Sequence, residues 1–125
     1  MRTDEKVWAA VSDEVDRQER QLELIASACR EHDLLCVSDE VYERLVFEGT
    51  HRSISTLPGM RDRTIAISSL GKTYSCTGWK IGWGCATAAL SRAIRAAHQF
   101  LVFSVPGPLQ HVAEHALARF NDSWD

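Results

Sequence analysis

Thr64-Ile65-Ala66-Ile67-Ser68-Ser69-Leu70-Gly71-Lys72 is the stretch on which the reading of this chain turns. Thr64 to Ser68, rich in β-branched residues, predicts a strand, and the hydroxyls, glycine and lysine that follow lead into a small-residue segment ending at Lys80. Upstream, Leu34-Leu35-Cys36-Val37 runs into Ser38-Asp39-Glu40. A short apolar run bounded by polar residues predicts a strand buried on both faces. Downstream, Ile81-Gly82-Trp83-Gly84-Cys85-Ala86-Thr87 predicts a third strand. Between the first two, Glu48 to Asp62 holds Gly49, Pro58 and Gly59 and predicts a loop of about 12 to 15 residues, long enough to suspect a function.

Helical periodicity frames these strands. Leu22, Ile25 and Cys29, widened by Leu24 and Ala28, predict an amphipathic helix from Gln18 to Glu31, and Val7, Trp8, Val11 and Val15 give a thinner stripe over residues 4–19. Near the other end Leu90, Ile94, Ala97 and Leu101 share one face. Leu109, Val112, Ala113, Ala116, Leu117 and Phe120 share another, with Pro106-Gly107-Pro108 between the two helices. Helix, strand, loop, strand, loop, strand, helix, helix is an α/β pattern. In such sheets ligands gather beyond the carboxyl ends of the strands, which points to Ser38–Tyr42 and Ser68–Lys72.

The 125 residues are 45% hydrophobic and 25% charged, the composition of a globular domain. Fourteen Lys plus Arg against seventeen Asp plus Glu give a net charge of −3. That excludes a strong basic field for nucleic acid or an anionic membrane. No apolar stretch nears the roughly 18 to 20 residues of a spanning helix, and Met1-Arg2-Thr3-Asp4-Glu5-Lys6 lacks the apolar core of a signal peptide, so a cytoplasmic location is expected. Cys29, Cys36, Cys76 and Cys85 match neither a zinc knuckle nor a redox pair and are expected to be reduced, packed thiols.

A carboxylate at the end of an apolar run, Asp39, calls for a cation or strong donors. Lys72, with few bulky neighbours, suits a desolvated, nucleophilic amine. The hydroxyls just before it can bind an oxyanion, and Lys80 adds a second cation after Gly78. An acid, an amine, hydroxyls and a second cation at one sheet edge suit a cofactor with a basic ring nitrogen, an aldehyde and a phosphate. Pyridoxal phosphate has all three.

Ser38-Asp39-Glu40-Val41-Tyr42 followed by Ser68-Ser69-Leu70-Gly71-Lys72-Thr73-Tyr74-Ser75-Cys76-Thr77-Gly78-Trp79-Lys80-Ile81-Gly82-Trp83 closely resembles the class I/II aminotransferases of fold type I, within them the kynurenine and methionine aminotransferase branch. The resemblance implies an α/β fold: part of a fold type I large domain, about three strands flanked by helices. It covers residues 18–125 of that cofactor-binding domain, with the small domain absent and residues 1–17 unlike the family. It implies amino-group transfer between an amino acid and a 2-oxo acid. Lys72 would form the Schiff base and move the proton between Cα and C4′. Asp39 would pair with the pyridine nitrogen, Tyr42 would donate to the ring O3′, and Ser69 and Lys80 would hold the phosphate. The family often has Arg where Lys80 stands, so a point charge replaces a planar fork. Phe103 to Gln110 also resembles the family but is assigned no role.

The family's upstream phosphate loop, its ring-stacking aromatic, its Asn-Pro motif and its late substrate-clamping arginine have no counterpart here. Missing strands predict exposed edges and apolar surface, hence a homo-oligomer or a complementing chain. The alternative reading is a non-catalytic, aminotransferase-derived module for folding or interaction. His111-Val112-Ala113-Glu114-His115 fits an inverted zinc-protease motif, but no third ligand lies well downstream, so two solvated histidines and no metal are expected. Glu43, Arg44 and Arg52 are read as solvated loop charges, and Trp79 and Trp83 as packing residues.

Overall fold

The computed structural model describes residues 2–46 and 49–119. Helix α1 spans Arg2–Glu31, so the two predicted stripes lie on one continuous helix. Its first part stands clear of the body: residues 5–21 are exposed apart from half-buried Val11. There Glu14, Arg17 and Gln18 pair along the surface. The last turns dock. The buried face is Leu22, Ala26 and Cys29, rather than the expected Leu22, Ile25 and Cys29, and Ile25 and Leu24 look outward at 48% and 70% exposure. The helix stops where Asp33 takes a left-handed φ of 50° and the Leu34 N–H donates to the Cys29 carbonyl at 2.9 Å, the long bond of a Schellman cap.

Three strands follow: β1 (Cys36–Asp39), β2 (Thr64–Ser69) and β3 (Gly82–Cys85), in the order β1-β2-β3. β1 and β2 are parallel with Asp39 beside Ile67; β2 and β3 are antiparallel with Ser69 beside Gly82. Each predicted strand is present: β1 is shifted two residues on, β2 is one residue longer and β3 is shorter than expected. Alternation divides the sheet. Cys36, Ser38, Thr64, Ala66 and Ser68 share the face over the core, whereas Val37, Asp39, Ile65, Ile67 and Ser69 share the other. β1 is therefore not buried on both faces as expected: Val37 is 64% exposed, and Asp39 on the same face is exposed with it.

The core itself comes largely from the segment read as a loop. Ile54, Leu57 and Met60, all buried, pack with Ala26 and Cys29 of α1 and with Leu22 and Cys36. Their three-residue spacing follows successive i to i+3 bonds, Leu57 to Ile54, Met60 to Leu57 and Arg63 to Met60, at 3.1, 3.0 and 3.1 Å. This run includes the 3₁₀ turns Ile54–Thr56 and Arg61–Arg63. Arg63 then ties the segment to the end of α1, donating to the Cys29 and Leu34 carbonyls and pairing with Asp33.

After β2 come α2 (Leu70–Thr73) and a 3₁₀ turn at Thr77–Trp79, then, past β3, α3 (Ala88–Leu101) and α4 (Gly107–Arg119). Both late helices were expected, but no residue of either is buried. Phe100, Leu101 and Phe103 stand 84%, 81% and 83% exposed at their junction. Phe120, assigned to the last apolar face, lies outside the described residues. All four cysteines are free, Cys29 buried, Cys36 and Cys76 half-buried; Cys85 is exposed rather than packed. No described helix is long and apolar enough to cross a membrane, and the described residues hold no cluster of metal-ligating side chains. His111 and Glu114 merely face each other in solvent, 3.5 Å apart.

Candidate active site

The parallel register brings the two expected strand ends together. Asp39 closes β1 beside Ile67, and the Glu40 N–H donates to the Ile67 carbonyl at 2.8 Å, the last backbone bond before the chain turns away. Asp39 Oδ1 accepts from the Val41 N–H at 3.3 Å, an Asx-type contact that starts the turn. The turn closes with Glu43 N–H to Glu40 and Leu45 N–H to Tyr42, 3.0 and 2.9 Å. It carries Tyr42 across to the next strand end: Lys72 Nζ lies 5.9 Å from the Tyr42 ring centroid, within reach of a cation–π contact.

Lys72 sits in α2, inside the connection between β2 and β3, whose two ends are pinned by the Ser69–Gly82 pair and by Leu70 N–H to Ile81 at 3.0 Å. Two glycines permit the fold of that connection. A Cβ on Gly71 would stand 2.8 Å from Thr77 Cα, and one on Gly82 would stand 2.7 Å from the Ser68 carbonyl oxygen. Thr77 Oγ1 donates to the Gly71 carbonyl at 3.1 Å and Tyr74 Oη to Ala116 at 3.3 Å, fastening the segment to itself and to α4. Ser69 occupies the N-cap position of α2 yet makes no capping bond; its hydroxyl has only a 3.5 Å contact to the Ile81 carbonyl. Lys80 ends the 3₁₀ turn in the left-handed region at φ 55°.

Asp39, Tyr42, Ser69 and Lys72 thus lie at one edge of the sheet, with Asp39 and Ser69 on the same face. Lys80 follows the 3₁₀ turn, and among the described residues no hydrogen bond or ion pair joins its side chain to any of them. Two expectations are corrected. Asp39 and Lys72 are exposed, not desolvated, because the sheet face bearing Asp39 is open. Glu43 is not a solvated loop charge: half-buried, it accepts a 2.6 Å hydrogen bond from Ser68 Oγ. Arg52 does lie in solvent, 3.5 Å from Glu23. Trp79 is 48% exposed and helps line a cleft of about 500 Å³, with Leu70, Tyr74, Cys76, Val112 and Ala116, which includes none of the five expected site residues.

A carboxylate network missing from the sequence reading braces the turn. Glu40 accepts from Ser53 Oγ at 2.8 Å and faces His51 Nε2 at 3.0 Å. Burial pushes its carboxyl up, but hydrogen bonds from His51, Ser53 and Ser38, with the His51 charge, outweigh burial and hold it below the usual carboxylate range. Burial likewise raises the Cys36 thiol, helped by Cys29 beside it.

The donor set can be compared directly with the cofactor. Among the described residues Asp39 has one carboxylate oxygen uncommitted, Ser69 has a hydroxyl unused by its helix, and neither Lys72 nor Lys80 has an ion pair. One acid, one hydroxyl and two available cations fit a basic ring nitrogen, a phosphate and an aldehyde.

The profile of the family "Aminotransferase class I and II" matches residues 15–123. Kynurenine–oxoglutarate transaminase 1 of Rattus norvegicus is 44% identical over 100 residues, covering 79% of this chain and 24% of its own. Kynurenine–oxoglutarate transaminase 3 of Mus musculus is 50% identical over 92, covering 73% and 20%. Among solved structures, N-succinyldiaminopimelate aminotransferase from Mycobacterium tuberculosis superposes with a TM-score of 0.78 at 41% identity, over 85% of this chain and 28% of that one. YbdL from Escherichia coli, identified with a methionine aminotransferase function, gives 0.73 at 40%, over 78% and 26%. The chain spans about a quarter of the length of the curated relatives it matches. With that match spanning both strand ends and the lysine between β2 and β3, the chain belongs to the class I and II aminotransferases.

Proposed function

We propose that this chain is the cofactor-lysine segment of a pyridoxal-phosphate-dependent aminotransferase, residues 18–125 forming part of its large domain. The observation that carries the reading is the convergence of Asp39, Tyr42 and Lys72 at adjacent parallel strand ends, with Lys72 Nζ 5.9 Å from the Tyr42 ring. Bound there, pyridoxal phosphate supplies an aldehyde that captures amines and a ring that takes up the electrons released at a substrate Cα. The Asp39 carboxylate would hold the proton on the ring nitrogen. Lys72 Nζ would hold the aldehyde carbon until the incoming substrate amine displaces it, and the freed amine would then carry a proton from the substrate Cα to C4′. Tyr42 would donate its hydroxyl to the ring oxygen, and Ser69 and Lys80 would hold the phosphate.

The substrates are an amino acid and a 2-oxo acid, the amino acid being aromatic, sulfur-containing or otherwise neutral; the names of the kynurenine and methionine relatives support this class. The working protein is cytoplasmic and pairs with a second copy or a complementing chain, because the open sheet face and the exposed α3–α4 junction need cover. The second reading, a non-catalytic module derived from the family, is favoured by the exposure of Asp39 and Lys72. Added pyridoxal phosphate separates the two. The first reading expects a visible absorbance band that Lys72→Ala abolishes; a folded sample without that band contradicts it.

A further inference from the structure

Tyr42 and Glu43 are neighbours in the turn after β1, and their side chains part company. Tyr42 reaches toward Lys72. Glu43 Oε1 instead takes the Ser68 hydroxyl at 2.6 Å, and Ser68 belongs to the sheet face opposite the one bearing Ser69. The turn is therefore bonded to the end of β2 through Glu43 and approaches α2, which follows that strand, through Tyr42. Past Glu40, no backbone hydrogen bond joins the turn to β2 among the described residues, so the Glu43 side chain supplies the tie.

That tie is made with an unusual group. Glu43 Oε2 is buried with no partner among the described residues. An orphaned carboxylate oxygen is a poor choice where stability alone is at stake. On the other flank the turn is held separately, by Glu40 to Ser53 and His51. The two carboxylates thus divide the work: Glu40 fastens the turn to the 3₁₀ segment, and Glu43 fixes it against the strand that leads into Lys72.

We propose that Glu43 is a positioning residue, which through its bond to Ser68 sets where Tyr42 stands over Lys72. Its importance for amino transfer rests on the reading of Lys72 as the cofactor lysine; the geometry is a property of the chain itself. Two measurements keep these apart.

The first uses the whole chain without cofactor and reads, by NMR, the cross-relaxation between the Tyr42 ring protons and the Lys72 ε-methylene. Wild type shows the cross-peak, Glu43→Ala and Ser68→Ala lose it, and Glu43→Gln, whose amide oxygen still accepts from Ser68, restores it. Ser53→Ala, which removes a Glu40 partner, lowers thermal stability and leaves the cross-peak. Persistence of the cross-peak in folded Glu43→Ala or Ser68→Ala overturns the proposal. In the second measurement pyridoxal phosphate is titrated into the same proteins. Glu43→Ala retains it about tenfold less tightly than wild type and Glu43→Gln nearly normally, as loss of one hydrogen bond's worth of positioning predicts. A less than twofold change overturns the link to the cofactor, whereas absence of any Lys72-dependent band in wild type overturns the cofactor reading and leaves the NMR result to judge Glu43.

Discussion

Lys72 has only Lys6 and Lys80 as fellow lysines, and what distinguishes it is placement: a connection pinned at both ends and an aromatic ring 5.9 Å from its ammonium. Asp39, on the neighbouring strand end, is the residue whose removal tests the electrostatics of the site. Asp39→Ala is expected to weaken pyridoxal phosphate retention by at least tenfold in a binding titration, since the ring nitrogen loses its counter-ion; unchanged affinity contradicts its role. The cysteines give an independent check of the packing. Exposed Cys85 should be alkylated first and Cys36 slowly, because burial and the adjacent Cys29 raise the Cys36 thiol and leave little thiolate. A mass-spectrometric time course in which Cys36 reacts as fast as Cys85 refutes that packing. At this scale Asp39 was legible in the sequence as a carboxylate ending an apolar run and Lys72 as a lysine after a strand with few bulky neighbours, and the structure places both at adjacent strand ends. Glu43 was not legible, since its partner Ser68 lies 25 residues away and nothing local marks the pair.

Among the elements, the connection from β2 to β3 is held by close backbone approach. Gly71→Ala would bring a methyl to 2.8 Å from Thr77 Cα and Gly82→Ala one to 2.7 Å from the Ser68 oxygen, so each should cost about 1–3 kcal/mol in urea unfolding. Values near zero would mean that the backbone gives way. The turn after β1 has a pH signature. Partial burial raises the folded Glu40 carboxyl, but hydrogen bonds from His51, Ser53 and Ser38 hold it below its ordinary value of about 4.5, so the unfolded chain binds that proton at higher pH. Its contribution is complete above about 4.5 and is lost as pH falls through the folded value. Thermal melts should therefore lose stability on acidification in that window, with a shallower slope in Glu40→Gln; identical slopes would deny the carboxylate this role. The strands were readable from short apolar runs, whereas Ile54–Met60 was not: its period of three matches neither a helix nor a strand, and Pro58 and Gly59 suggested a loop. The phase of α1 was misjudged because Ala26 carries little apolar signal although it lies at the point of closest docking.

For the molecule as a whole, one sheet face covers a core and the other does not. Val37, with Phe100, Leu101 and Phe103 at the α3–α4 junction, stays exposed, and so does Asp39 at the candidate site. Helical periodicity correctly placed α3 and α4 but could not show that no residue of either is buried in the described structure, since a stripe reports what a helix would bury and not what is there to bury it. Such surface predicts association: light scattering should give at least twice the mass of one chain, and a purely monomeric species would refute it. The central claim is that this segment presents one particular amine to pyridoxal phosphate. The direct measurement is to incubate the chain with pyridoxal phosphate, reduce with borohydride and map the cofactor's mass among its three lysines. The label should fall on Lys72 and be diminished in Asp39→Ala; label shared evenly among Lys6, Lys72 and Lys80, or absent from Lys72, would refute Lys72 as the cofactor lysine.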